Sequence, residues 1–158
     1  RFKWMMGMMQ FLNELMQNHI LLAAISGWAI AQTVKAILYA IVNREFKLER
    51  LVGSGGMPSS HAATVCAMTT AAAMRFGASS FEFAISLILT AVVLHDARGV
   101  RQEAGKQAVT ITAIIDHLIK EGKIIELPEW ELKELIGHTP LQVLIGSIMG
   151  IGVGIWLG

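Results

Sequence analysis

Four apolar stretches, each near the ~20 residues that a helix needs to cross a bilayer, limit what this chain can fold into. They run from Ile20 to Val42, Pro58 to Phe76, Phe81 to Ala97 and Pro140 to Leu157. Backbone groups that face lipid must satisfy their own hydrogen bonds, so each stretch predicts a helix. The expected fold is all-α, an integral membrane bundle of about four transmembrane helices. Composition agrees: mean hydropathy is +0.55, and only 16% of residues are charged, a poor balance for a soluble domain. A net charge of +1 gives no ground for a nucleic-acid partner. The lone cysteine, Cys66, cannot form an intrachain disulfide and leaves the redox compartment open.

The ends of the stretches carry start signals. Ser79 with Glu82, and Thr139 with Gln142, have capping-box spacing. Pro140 falls at a first helical position, and Pro58 is given the same opening role. One domain over residues 1–158 is expected. Residues 1–18, rich in Met with Trp4, Leu12 and Leu15, predict an interfacial helix. Asn13, Glu14 and Gln17 interrupt this segment, and no cleavable signal is read in it. Residues 98–138 form a polar, amphipathic connector. In it Ala104, Ala108, Ile111, Ile115 and Leu118 share a helix face, Gly122 marks an end, and Pro128 to Ile136 suggest a second short helix.

Polar groups inside spans are expensive and therefore informative. Trp28, Gln32, Lys35 and Tyr39 recur on one face of the first span. Lys35 either snorkels to the interface or turns its ammonium inward to meet an anion. The stretch GGMPSSH, ending in Ser59, Ser60 and His61, opens the second span. Unpaired amides at a helix start attract anions, glycines allow close approach, and histidine moves protons near neutral pH. An ordinary helix cap uses the same small polar residues. Asp96, Arg98, Arg101 and Lys106 gather where the third span ends. They fit either interface anchoring or a phosphate clamp in which Asp96 orients an arginine. His138 stands just before the Thr139 cap of the last span. Alternating span directions put Lys35, His61, Arg98, Arg101 and His138 on one membrane face. Two histidines among cations suit phosphoryl transfer without a metal. A metal site is the weaker reading, because no cysteine or carboxylate pair accompanies the histidines.

These motifs resemble those of the type 2 phosphatidic acid phosphatases, membrane lipid phosphatases related to vanadium haloperoxidases. The resemblance is to a small, divergent bacterial and plastid branch whose members carry GGMPSSH, D-x-x-G-V-R and GHTP, and it covers Asn18 to Gly158. It implies that His138 is the nucleophile, that His61 is the general acid, and that Lys35 binds phosphate with Ser59, Ser60, Arg98 and Arg101. The wider superfamily has K-x6-R-P, P-S-G-H and S-R-x5-H-x3-D. Here Val42 and Asn43 replace the first arginine and proline, Ser60 replaces glycine, and Leu132 replaces the last arginine. Gln142 replaces the carboxylate that orients the nucleophile, and it either takes over that orienting role or serves the Thr139 cap.

The function implied is a metal-independent lipid phosphatase that needs no cofactor. Its substrate would be a membrane lipid phosphate such as phosphatidic acid, phosphatidylglycerol phosphate or an isoprenyl phosphate. The alternative is a non-catalytic lipid-phosphate binder or carrier on the same scaffold. Expected partners are the bilayer and the lipid phosphate. Gly146, Gly150 and Gly154 make a smooth stripe on the last span, and Ala63, Ala67 and Ala71 make another on the second. Such stripes meet within one chain or between two, as in a homodimer. The excess of Lys and Arg on the motif side, including Arg44, Lys47 and Arg50, predicts a bacterial cell-membrane protein with that side cytoplasmic.

Overall fold

The computed structural model describes residues 2–45, 56–122 and 139–158. Among the described residues all regular structure is helical: α1 (Phe2–Met16), α2 (His19–Asn43), α3 (Ser60–Phe76), α4 (Phe81–Arg98), α5 (Val100–Lys120) and α6 (Pro140–Leu157). The central helix is α3, packed against α2, α4 and α6, while α2 and α6 also touch each other. α5 follows α4, and among the described residues α1 meets the other helices through α2.

The packing inverts that of a soluble domain. The buried apolar residues are small, with Ala23, Ala31, Ala62, Ala63, Ala67, Ala71 and Ala72 among them. The large side chains point outward: Ile25 and Ile41 on α2, Phe81, Ile88 and Val92 on α4, Ile148, Ile155 and Trp156 on α6. Water would punish such a surface, whereas lipid is its natural solvent. Small residues inside let backbones approach, which is how helices associate where no hydrophobic force drives them together.

α2 and α6 are each long and apolar enough to cross a membrane. The other two expected spans fall short of that test on their own. α3 has 17 residues, about 25 Å at ~1.5 Å per residue, against roughly 30 Å of hydrocarbon. α4 has 18 residues but carries Glu82 near its start and Asp96 and Arg98 at its end.

Two of the predicted helix starts shift. The cap of α4 is Ser80 rather than Ser79: its hydroxyl accepts from the Phe83 amide at 3.2 Å. Gly77, at φ 81°, turns the chain after α3, and the Ser80 amide closes that turn onto the Gly77 carbonyl. The extended backbone needed for a cap therefore falls one residue later than the capping-box spacing suggests. α3 begins at Ser60, with Ser59 as its cap, so Pro58 lies outside the helix instead of opening it. The capping box of α6 forms as its spacing predicts, with Pro140 at the first turn. Gly99 separates α4 from α5, and Gly122, at φ 77°, follows the end of α5. On α5 Ala108 is buried and Ile115 and Leu118 are half-buried, but Ile111 faces outward. The predicted Pro128 to Ile136 helix lies outside the described residues.

The glycine stripe of α6 is filled by α3 of the same chain. A methyl group at Gly146 would strike the Ser59 carbonyl oxygen, and one at Gly150 would strike that of Ala63. One at Gly154 would stand 2.7 Å from the Ala67 oxygen. Gly27 of the neighbouring α2 meets the same Ala63 oxygen, 2.9 Å from where a Cβ would be. α3 thus runs in a slot whose closest approaches are open only to glycine.

Candidate anion site

The site end of the bundle starts with the α3 cap. Ser59 is fully buried, and its hydroxyl accepts from the Ala62 amide at 3.4 Å. Its own amide donates to the Gln142 carbonyl of α6 at 3.0 Å. Ser59 thereby fixes the helix start and ties it to α6. Ser60 follows as the first helical residue and is also buried. His61 is half-buried in the first turn, with Nδ1 turned away from solvent.

Lys35 comes to the same place from α2. It is only 5% exposed, and its ammonium donates to Gln32 Oε1 at 2.7 Å. It does not snorkel. The Gly56 backbone, at φ 85°, lies over its stem, so that a Cβ there would be 3.5 Å from Lys35 Cγ and Cδ. Gly56, shortly before Ser59, thus stands beside the lysine stem. Of the polar face read on α2, Gln32 and Lys35 turn inward, Tyr39 is half-buried, and Trp28 is exposed.

α4 delivers its last turn to this end. Ala97 packs with Ala62 and Val143, so the end of α4 meets the starts of α3 and α6. Asp96 beside it is half-buried, and Arg98 is exposed. Arg101 lies in the first turn of α5. On α6, the Thr139 amide donates to Gln142 Oε1 at 3.1 Å, and the Gln142 amide donates back to Thr139 Oγ1 at 3.3 Å. The Gln142 side chain thus takes part in the cap. His138 and Leu132 lie outside the described residues.

The structure therefore brings Lys35, Ser59, Ser60, His61 and the α6 start together, with Asp96 and Arg98 at the same end. Two contributors escaped the sequence reading. Gln32 was visible on the Lys35 face, but its pairing with the ammonium was not. Gly146 was visible in the stripe, but its contact with the Ser59 backbone was not.

A small-residue core, a lipid-compatible exterior and a buried cation at one end define a helical membrane protein. The chain belongs to the divergent PAP2 family, whose model matches residues 16–153. It is 36% identical over 148 residues to the uncharacterized membrane protein YuiD of Bacillus subtilis (strain 168), covering 87% of this chain and 92% of that one. No solved structure matches.

Proposed function

We propose that the protein is a metal-independent lipid phosphatase, with α3 and α4 crossing the membrane beside α2 and α6. One observation carries the reading: a lysine buried in an apolar bundle beside a helix start that bears a histidine. A phosphate at the α3 start would meet both the Lys35 ammonium and the positive end of the helix dipole. Family membership supports a phosphatase-related role.

In this scheme a ring nitrogen of His138 attacks phosphorus and forms a P–N bond. The P–O bond to the lipid breaks, and protonated His61 gives its proton to the departing oxygen, releasing the lipid alcohol. Water then attacks phosphorus, the P–N bond breaks, and His61 takes up a proton as inorganic phosphate forms. Lys35, Ser59, Ser60, Arg98 and Arg101 hold the phosphoryl oxygens, and Asp96 orients an arginine. Phosphatidic acid, phosphatidylglycerol phosphate and isoprenyl phosphates or pyrophosphates all fit this chemistry. A second reading, a lipid-phosphate binder without turnover, is favoured by Gln142: its side chain caps α6 and has no negative charge to stabilise an imidazolium.

Phosphate release from a panel of these lipids by the purified protein, with vanadate as inhibitor, separates the two. The phosphatase reading expects turnover that His138→Ala abolishes and that His61→Ala slows by ~10²–10⁴-fold, the usual worth of general acid catalysis. The His61→Ala loss should shrink on an aryl phosphate, whose leaving group needs no proton. Tight vanadate binding with no release from any lipid would establish the binder instead.

A further inference from the structure

We propose that α1 lies flat in the bilayer surface at the end of the bundle away from the candidate site. Its methionine face is sunk in lipid, and its Gln10 and Glu14 stripe meets water. The sequence predicts an interfacial helix without a place or a rotation, and the structure supplies both. The place comes from the junction with α2, a helix long and apolar enough to cross a membrane. Asn18 has extended backbone, with ψ 90°, and its side chain accepts from the Leu21 amide at 3.1 Å. This cap starts α2 afresh, so α1 does not run on into it. His19 Nδ1 lies 3.2 Å from the Leu157 carbonyl oxygen, which levels the start of α2 with the end of α6. The starts of α3 and α6 are joined at the other end, through Ser59 and Gln142. Only Gln17 and Asn18 separate α1 from α2, so α1 is tied to the level where α2 enters the membrane and α6 leaves it.

The rotation comes from the side chains. Gly7, Gln10 and Glu14 follow i, i+3 and i+7, and Gln10 Nε2 donates to Glu14 Oε1 along this stripe at 3.0 Å. Met5, Met9, Leu12 and Met16 hold the opposite side at i, i+4, i+7 and i+11, and Trp4 and Phe11 widen it. All six are exposed, Trp4 at 85%. With 15 residues, α1 is about 22 Å long, short of the roughly 30 Å of hydrocarbon, so it lies along the surface instead of crossing. Lipid is the occupant because this face joins directly onto α2, whose own large side chains, such as Ile25, point outward. The apolar arc is also broader than the narrow seam through which paired helices meet. Flexible, unbranched methionine suits the irregular space among acyl chains. Arg1 and Lys3 stand against Glu14 in this segment, so burial of apolar surface supplies most of the binding and neutral lipid suffices.

The test reads collider accessibility of spin labels on the full chain in phosphatidylcholine vesicles. Single cysteines enter a Cys66→Ser background as Met9→Cys, Leu12→Cys and Met16→Cys on one side. On the other they enter as Gly7→Cys, Gln10→Cys and Glu14→Cys. Relative to an aqueous nickel chelate, the first three labels should meet dissolved oxygen several-fold more than the second three. Equal ratios on the two sides would overturn the proposal, whether α1 stands in water or is sunk whole. Labels at positions 9 and 12 that are shielded from both colliders and coupled between chains would also overturn it, giving the face to a second copy. If Cys66→Ser does not fold, the fluorescence difference between wild type and Trp4→Phe decides. Bromines high on the acyl chains should quench that difference, and quenching by aqueous iodide in their place would overturn the proposal.

Discussion

α3 is held by α6 on one flank and by α4 on another, and the two contacts are made by opposite means. Against α6 the closest approaches are to backbone: the carbonyl oxygens of Ser59, Ala63 and Ala67 each crowd the place where a Cβ of Gly146, Gly150 or Gly154 would be. That geometry sets glycine Cα–H groups against carbonyls, a recurring weak contact at close helix crossings. Against α4 the contact is made by hydroxyls. Thr69 Oγ1 lies 3.0 Å from the Ser86 carbonyl oxygen and 2.7 Å from Thr90 Oγ1. Thr90 Oγ1 in turn lies 3.0 Å from the Val65 carbonyl oxygen. Two hydroxyl hydrogens serve those three short contacts, so the network survives some rearrangement. A seam made by the absence of atoms tolerates no addition, whereas one made of hydroxyls tolerates a partial loss.

The largest test of this contrast is Gly150→Leu. Even a single methyl group there would meet the Ala63 carbonyl, with its carbon and Cα at 2.9 Å. The neighbour is backbone and cannot swing aside, so the destabilisation should reach about 3 kcal/mol or more. Loss of the monodisperse, helical protein in detergent is the expected readout, and an unchanged melting temperature would remove the tight seam from the description. Thr90→Val comes next. It keeps the volume and deletes one hydroxyl, and an interhelical hydrogen bond in a membrane protein is worth about 0.6 to 1.7 kcal/mol. Chemical unfolding should show a loss in that range, and a loss as large as that of Gly150→Leu would erase the distinction between the flanks. Gly152→Ala should do least. It lies on α6 between the seam glycines but meets nothing within 4 Å, so its effect should stay within about 0.5 kcal/mol. A large effect there would mean that glycine matters to α6 for its backbone rather than for the space it leaves.

These flanks also mark what could be read from sequence. The glycine stripe, the Thr139 cap and the apolar lengths are periodic or local signals, and each appears in the structure. The α3–α4 hydroxyls were silent, because threonine and serine in a span can equally bond back to their own helix. Thr33, Thr64 and Ser147 do so, donating to Ala29, Ser60 and Val143. Only the neighbouring helix decides which use prevails. The Ser79 cap failed for a related reason: two serines in a row offer the same hydroxyl, and the Gly77 turn chooses between them. At the candidate site the sequence gathered charged residues by topology, but it could not see that a glutamine accompanies Lys35 or that Ser59 ties α3 to α6.

The Ser59 amide donates to the Gln142 carbonyl, and this joint belongs to no side chain. Replacing either residue with alanine leaves the joint standing, as would almost any other exchange. Only proline at position 59, which lacks the donor, deletes it outright. A scan that reads importance from side-chain loss would therefore pass over a bond that couples the two motif segments. The register between them is inherited through the main chain, and short of proline at position 59, sequence change acts on it by crowding, as at Gly146.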